Sequence, residues 1–128
     1  MLVIGGCAML NLNGKTAFVF GVASEDSIAW AICKMLAESG VTLYLGYQKR
    51  FRSRIFQLKD KLPQIAGFYP LDVASDATTK EFYDAFSAEN PGKKADIMIH
   101  AIGFAPRTCF DRPILFVEDQ DINTAMTI

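Results

Sequence analysis

Four short apolar segments alternate with helix-like segments along this chain, and that alternation limits the possible folds more than any other feature. The apolar segments are residues 16–20, 41–45, 65–70 and 95–101. Apolar residues recur at helical spacing in the stretches between them, 27–39, 50–62 and 78–88. Because parallel strands need long, usually helical crossovers, this order predicts an α/β fold in which helices cover both faces of a buried parallel sheet.

The order of the strands in that sheet also follows from the alternation. Right-handed crossovers favour a doubly wound, Rossmann-like sheet with strand order 3-2-1-4. In such a sheet, ligands bind beyond the carboxyl ends of the strands, where the order reverses. We therefore expect a functional site where the loops after Phe20, Leu45, Leu71 and Ala101 meet. A last helix is predicted over residues 118–128.

Composition excludes several classes of protein. The 128 residues are 51% hydrophobic and 21% charged, which fits one folded domain and excludes a disordered chain. Thirteen basic and fourteen acidic residues give a net charge of −1, so no general basic field favours nucleic acid or an anionic membrane. No apolar run reaches the roughly 18 residues of a membrane span, and the N-terminus lacks the basic region of a signal peptide.

Cysteine and histidine usage favours a reducing compartment without metal chemistry. Cys7, Cys33 and Cys109 are odd in number and widely spaced, so they predict neither a disulfide framework nor a metal site. The expected location is therefore the cytoplasm. We expect His100, Trp30 and Cys33 to pack within the fold rather than to take part in chemistry.

The first strand-to-helix turn has the sequence Gly21-Val-Ala-Ser24-Glu-Asp26-Ser27-Ile28, which is not the G-x-G-x-x-G pattern of dinucleotide-binding proteins. Gly21 allows a tight turn, and the following helix N-terminus offers free N–H groups to a pyrophosphate. Ser27 can cap the helix and add a hydroxyl group. An ordinary N-cap explains the same residues, so the turn alone leaves both interpretations open.

Four motifs in order resemble those of one family. Gly21-x5-Ser27-Ile28-Ala29 resembles the modified glycine loop of the NADH-dependent enoyl-acyl carrier protein reductases, divergent members of the short-chain dehydrogenase superfamily. The other three segments are Gly46-Tyr47-Gln48, Leu71-Asp72-Val73 and Ile99-His-Ala101-Ile102-Gly103-Phe-Ala-Pro106. The resemblance runs from about Met9 to the C-terminal segment, and residues 1–8 are interpreted as an N-terminal extension.

The resemblance implies NADH as cofactor, with Gly21, Ser27 and Ile28 beside its pyrophosphate. Gln48 would hydrogen-bond the adenosine ribose. NADPH is a possible cofactor too, because the basic run that follows Gln48 does not exclude a 2′-phosphate. The same basic run can instead be interpreted as a solvated helix face. The run contains Lys49, Arg50, Arg52 and Arg54.

The remaining motif residues have implied roles at the two ends of the cofactor. Asp72 would accept a hydrogen bond from the adenine amino group and Val73 would add backbone contacts, although Asp is also a common turn residue. Ala101, Ile102 and Gly103 would lie on the nicotinamide side, where Gly103 leaves room for the ribose.

Catalytic residues of the family are not found in this sequence. The family pairs a tyrosine with a lysine in a Tyr-x6-Lys motif. No lysine follows at the fourth or seventh position after any of the tyrosines, which are Tyr44, Tyr47, Tyr69 and Tyr83. We therefore expect the catalytic pair beyond Ile128, and we interpret residues 9–128 as an incomplete dinucleotide-binding domain truncated after its fourth strand, with an exposed apolar edge.

For the intact enzyme, the resemblance implies reduction of a trans-2-enoyl group carried on acyl carrier protein, and a homotetramer. One alternative is a catalytically inactive fragment that binds nucleotide or associates with intact subunits. A ketoacyl reductase is disfavoured, because those enzymes usually keep Gly-x3-Gly-x-Gly in the first loop. A flavodoxin-like or receiver domain would need acidic residues where Gly21-Val22-Ala23 stands.

Overall fold

The structure is a computed structural model that describes residues 11–127, so the predicted extension over residues 1–8 and Cys7 lie outside the described residues. The strands are β1 (Thr16–Phe20), β2 (Thr42–Tyr47), β3 (Ile65–Pro70) and β4 (Ile97–His100). The α-helices are α1 (Ile28–Glu38), α2 (Arg52–Gln57), α3 (Asp76–Glu89) and α4 (Asp119–Thr127). All strand pairs are parallel in the order β3-β2-β1-β4, which confirms the predicted α/β class and sheet order.

Two hydrophobic clusters form the core, one on each face of the sheet. Alternate residues of a strand point to opposite faces. Val19 and Leu45 therefore pack in the cluster that includes Cys33 of α1. Phe18 and Phe20 pack with the aromatic residues of α3, of which Phe82 and Phe86 are buried. The helices thus cover both faces.

Helix α1 buries a different face from the one that its apolar spacing indicated. Ile28, Ala31, Ile32, Met35 and Leu36 have helical spacing, but Ile28 and Met35 are 78% and 69% exposed. The buried residues are Ala29, Trp30, Cys33 and Ala37. The helix is apolar almost all round, so its spacing does not select a face. Cys33 is fully buried as expected, and burial raises the pKa of its thiol to about 12.

Two predicted helices differ in their bounds. The helix expected over 50–62 is broken into a 3₁₀ turn (Lys49–Phe51), α2 and a second 3₁₀ turn (Lys59–Lys61). Neither α2 nor its flanking turns have a side-chain N-cap, so nothing fixes one continuous helix. Helix α3 begins two residues before the predicted start, because the Ser75 hydroxyl accepts a hydrogen bond from the Thr78 N–H.

Strand β4 is shorter than predicted and lies at the edge of the sheet. It covers four residues instead of 95–101, and among the described residues it pairs only with β1. The expectation that His100 packs in the core was wrong, since this edge position leaves it exposed. Met98 is also 54% exposed, so the expected apolar character of this edge is present.

Asp96 joins the start of β4 to the start of β1, and this contact predicts a pH effect. Its carboxylate accepts from Thr16 N (2.9 Å) and Lys15 Nζ (3.1 Å). The Thr16 hydrogen bond, and then the Lys15 contact, lower the pKa of Asp96 below its ordinary value of 3.8. A lowered carboxylate pKa stabilises the fold above the unfolded-state pKa, and this stabilisation is lost as the pH falls through the folded-state pKa.

We expect Asp96→Asn to remove that part of the acid sensitivity. Urea unfolding midpoints measured from about pH 6 down to about pH 2 should fall less steeply in the variant than in the natural sequence, chiefly below the ordinary carboxyl pKa of 3.8. The difference between the two profiles carries the result, because the two proteins differ only at residue 96. Parallel profiles would show that the Asp96 carboxylate makes no pH-dependent contribution to the stability of the fold.

Candidate functional site

A cleft of about 700 Å³ lies at the carboxyl ends of the strands, at the edge where the sequence predicts a site. This volume is within the roughly 300–1,000 Å³ of small-molecule sites. All four strand-end loops contribute to its lining, with Gly21–Ala23, Gly46–Phe51, Pro70–Asp72 and Ala101–Phe104. Ala74 and Thr78 complete the lining. The position agrees with the rule that ligands bind where the strand order reverses.

Gly21 brings the β1 and β4 ends into direct contact. Its φ is +103°, and a Cβ built on it would lie 2.1 Å from the carbonyl oxygen of Ala101. Ala101 N also donates to the Phe20 carbonyl oxygen (3.0 Å). Only glycine combines this backbone conformation with so close an approach.

Ser27 and Ile28, which the resemblance placed beside the pyrophosphate, are not part of the cleft lining. The Ser27 hydroxyl is occupied in capping α1, since it accepts from Trp30 N (3.3 Å) and donates to the Ser24 carbonyl oxygen (2.7 Å). Ile28 faces solvent in the first turn of the helix. The N-cap interpretation is therefore correct for Ser27, whose hydroxyl and carbonyl oxygens both accept from Trp30 N.

One end of the cleft follows β2. Gln48 is half-buried there, and the exposed Lys49 and Arg50 line the cleft beside it. The Arg50 guanidinium lies 4.7 Å from the centre of the Phe51 ring, a cation–π distance. This end therefore carries one neutral amide and two cations.

The loop after β3 is held in place by Thr78, a residue that the sequence argument did not name. The Thr78 hydroxyl accepts from Asp72 N (3.1 Å) and lies 2.7 Å from the Asp72 carbonyl oxygen. The Asp72 carboxylate accepts from Ala74 N (3.1 Å) and lines the cleft. Val73 does not line it, because its side chain packs against the aromatic cluster. The helix-start pattern Ser75-x-x-Thr78 was the available signal for Thr78.

The β4 end supplies the other side of the cleft. Ala101 and Ile102 are half-buried, and Gly103 is exposed. No atom of the described residues lies within 4 Å of a Cβ built on Gly103, so the glycine leaves open space in the cleft. Phe104, which the site prediction omitted, adds a half-exposed ring to the lining.

The described lining of the cleft combines small and apolar residues with a few polar and charged side chains. Among the described residues, neither a cysteine nor a histidine lines the cleft. Within residues 11–127 there is no group of three side chains able to hold a metal ion. In the same part of the chain, no helix has the length and hydropathy needed to cross a bilayer.

Comparison with known proteins identifies the family. A family model described as enoyl-(acyl carrier protein) reductase matches residues 21–128. The chain belongs to the enoyl-acyl carrier protein reductase family. This confirms the resemblance carried by the four motifs and decides against the flavodoxin-like and receiver alternatives.

Relatives in the family show how much of it the chain covers. An enoyl-acyl carrier protein reductase (NADH) from Synechocystis is 34% identical over 105 residues, which cover 78% of this chain and 39% of that protein. A reductase named for NADPH, from Staphylococcus aureus, is 37% identical over 102 residues, which cover 76% of this chain and 38% of that protein. The chain thus spans about two fifths of the length of these curated relatives.

A solved structure supports the fold assignment over nearly the whole chain. The enoyl-acyl carrier protein reductase (NADH) from Aquifex aeolicus superimposes with a TM-score of 0.80 at 29% identity. The match covers 93% of this chain and 50% of the Aquifex chain. The strand-end cleft described above is therefore a cleft of the reductase fold.

Proposed function

We propose that this chain forms the cofactor-binding part of an enoyl-acyl carrier protein reductase, which uses NADH to reduce a trans-2-enoyl thioester in fatty-acid elongation. The observation that carries the proposal is the cleft at the strand-order reversal, lined by all four loops in which the family motifs occur. The names of the Synechocystis and Aquifex relatives support NADH. Residues 9–128 are proposed as one incomplete dinucleotide-binding domain of a cytoplasmic, homotetrameric enzyme.

The residues present fit a dinucleotide. Gln48 would hydrogen-bond the adenosine ribose, and Asp72 would accept from the adenine amino group. Gly21 lines the cleft in the tight turn after β1, and its backbone would lie beside the pyrophosphate. Gly103 and Phe104 would border the nicotinamide end, where open space remains.

Binding and turnover are separate properties in this proposal. NADH, when bound, supplies the hydride that the reduction needs. The cleft residues bind and orient it, whereas none of the tyrosines in residues 1–128 has a lysine four or seven positions on. We therefore propose that the 128-residue chain binds the dinucleotide without catalysing the reduction.

Fluorescence titration of the 128-residue chain with NADH tests this proposal. We expect saturable binding, weakened about three- to tenfold by Gln48→Ala through loss of one or two hydrogen bonds. Gln57→Ala is the matched control, because Gln57 is exposed at the end of α2 and outside the cleft. In a parallel assay with a crotonyl thioester, NADH oxidation should stay at background.

The two halves of the proposal fail separately. A folded chain that does not bind NADH, or equal losses in the Gln48 and Gln57 variants, would remove the assigned binding site. Oxidation of NADH at enzyme-like rates would instead show that residues 1–128 contain a proton donor that the sequence argument missed.

A further inference from the structure

We propose that Thr78 is a positioning residue for dinucleotide binding: its hydroxyl holds the backbone of Asp72, so that the Asp72 carboxylate keeps its place in the cleft. The inference rests on the proposed function, because it needs Asp72 to accept a hydrogen bond from the adenine of the cofactor. It gives a binding role to a residue that acts through another side chain.

The backbone hydrogen bonds between the β3 segment and β2 end one residue before Asp72. Leu71 N donates to the Tyr47 carbonyl oxygen (2.8 Å), and Leu71 is buried. Strand β3 has ended at Pro70, and the next residues, Asp72 and Ala74 among them, run along the surface with these two exposed. The place of Asp72 in the cleft therefore depends on contacts within the loop and with the start of α3.

Thr78 binds both backbone polar groups of Asp72. Its hydroxyl accepts from Asp72 N (3.1 Å) and donates to the Asp72 carbonyl oxygen (2.7 Å). That carbonyl oxygen also accepts from Ser75 N (3.0 Å), and Asp72 Oδ1 accepts from Ala74 N (3.1 Å). Within residues 11–127, these hydrogen bonds leave Asp72 Oδ2 as the oxygen that can accept from a ligand.

Helix α3 makes Thr78 a rigid support for the loop. Thr78 lies one turn before Phe82, whose ring is buried and lies 5.1 Å from Phe18 and 5.3 Å from Phe20. These contacts fix the start of the helix against the sheet, so the Thr78 hydroxyl has a fixed place relative to the end of β1. An acceptor that is already ordered loses less conformational entropy on binding, which raises affinity.

The next residue, Thr79, provides a comparison within the same helix. Both threonines are half-buried, and both hydroxyls lie 3.1 Å from the Ser75 carbonyl oxygen. Of the two, Thr78 lines the cleft and contacts Asp72, whereas Thr79 does neither. Loss of either hydroxyl removes a contact with Ser75, but loss of the Thr78 hydroxyl also releases Asp72.

Calorimetric titration of the whole 128-residue chain with NADH and with AMP tests the inference. Thr78→Val keeps the shape and removes the hydroxyl, so it should lower both affinities by the same factor, about three- to tenfold. Thr78→Ser should restore both affinities to within about twofold. Thr79→Val is the matched control and should leave them unchanged. If Thr78→Val does not fold, Thr78→Ala takes its place, because alanine favours the helix.

A double-mutant cycle separates positioning from direct contact with the ligand. Asp72→Asn keeps one oxygen for the Ala74 N–H but replaces the free carboxylate oxygen, so it should itself lower the NADH affinity. Because Thr78 acts through Asp72, adding Thr78→Val to this variant should lower the affinity by less than about a further twofold. Additive losses would show that Thr78 meets the ligand directly, and would overturn the inference.

Three other results would overturn this inference and leave the proposed function intact. They are an unchanged NADH affinity in folded Thr78→Val, equal losses of affinity in Thr78→Val and Thr79→Val, and failure of Thr78→Ser to restore binding. A folded natural chain that binds neither NADH nor AMP would overturn the proposed function as well.

Discussion

Gly21→Ala is expected to destabilise the fold by about 3 kcal/mol or more and to abolish measurable nucleotide binding. Two effects add at this position. An L-residue at φ +103° is strained, at a cost of about 1–3 kcal/mol. The new Cβ would also lie 2.1 Å from the Ala101 carbonyl oxygen, so the turn after β1 and the end of β4 must move apart.

Gly14→Ala is the matched control for this change. Gly14 also has a positive φ, +77°, but no atom of the described residues lies within 4 Å of a Cβ built on it. It should therefore show the backbone cost alone, about 1–2 kcal/mol. Urea unfolding measures the loss of stability in both variants, and the NADH titration measures binding in the cleft. Similar losses of stability in the two variants would mean that the backbone near Ala101 accommodates the new Cβ without a cost in free energy.

Phe82→Ala should remove a large fraction of the total stability. Phe82 is 2% exposed, and its ring makes edge-to-face contacts with Phe18 (5.1 Å), Phe20 (5.3 Å) and Tyr69 (5.5 Å). Truncation of a buried phenylalanine costs about 3–5 kcal/mol. A domain with about 5–15 kcal/mol of stability would become marginal, so thermal unfolding should begin near room temperature.

Tyr83→Ala tests whether burial or the aromatic ring itself matters. Tyr83 is the next residue on α3 and is 45% exposed, with its ring 5.5 Å from that of Phe82. Its ring also lies 6.2 Å from that of Phe18, so its loss should cost about 1–2 kcal/mol, the value of two partly exposed aromatic pairs. The loss of stability in Phe82→Leu should lie between the losses in Tyr83→Ala and Phe82→Ala. If Tyr83→Ala cost as much as Phe82→Ala, the stabilising contacts would lie at the helix surface.

The fold was predictable because strand burial and crossover handedness leave few choices. The runs around Val19 and Leu45 have the length and composition of buried strands, and right-handed connections then favour a doubly wound order. The buried face of α1 was not predictable, because apolar residues surround the helix. His100 was assigned to the core from its place within an apolar strand, although the predicted strand order already put that strand at the edge of the sheet.

The site was predictable to the level of loops and less so for side chains. Topology brings Gly21, Gln48, Asp72 and residues 101–103 to one cleft, whatever their rotamers. Ser27 was open between a cofactor contact and an N-cap, and its hydroxyl caps α1. Val73 was expected to give backbone contacts, and its side chain packs against the aromatic cluster. Whether a side chain caps a helix, packs in the core or lines the cleft depends on hydrogen bonds and packing, which the order of residue types does not specify.

The burial of Cys33 determines how oxidative damage proceeds in this protein. Oxidants attack the thiolate, and a pKa of about 12 with no solvent contact leaves almost none at Cys33 in the folded state. Cys109, half-buried in a 3₁₀ turn, is the more accessible of the two thiols that the structure describes. Sulfenic acid at Cys109 would thus record exposure to oxidant, whereas modification at Cys33 would record that the molecule had opened.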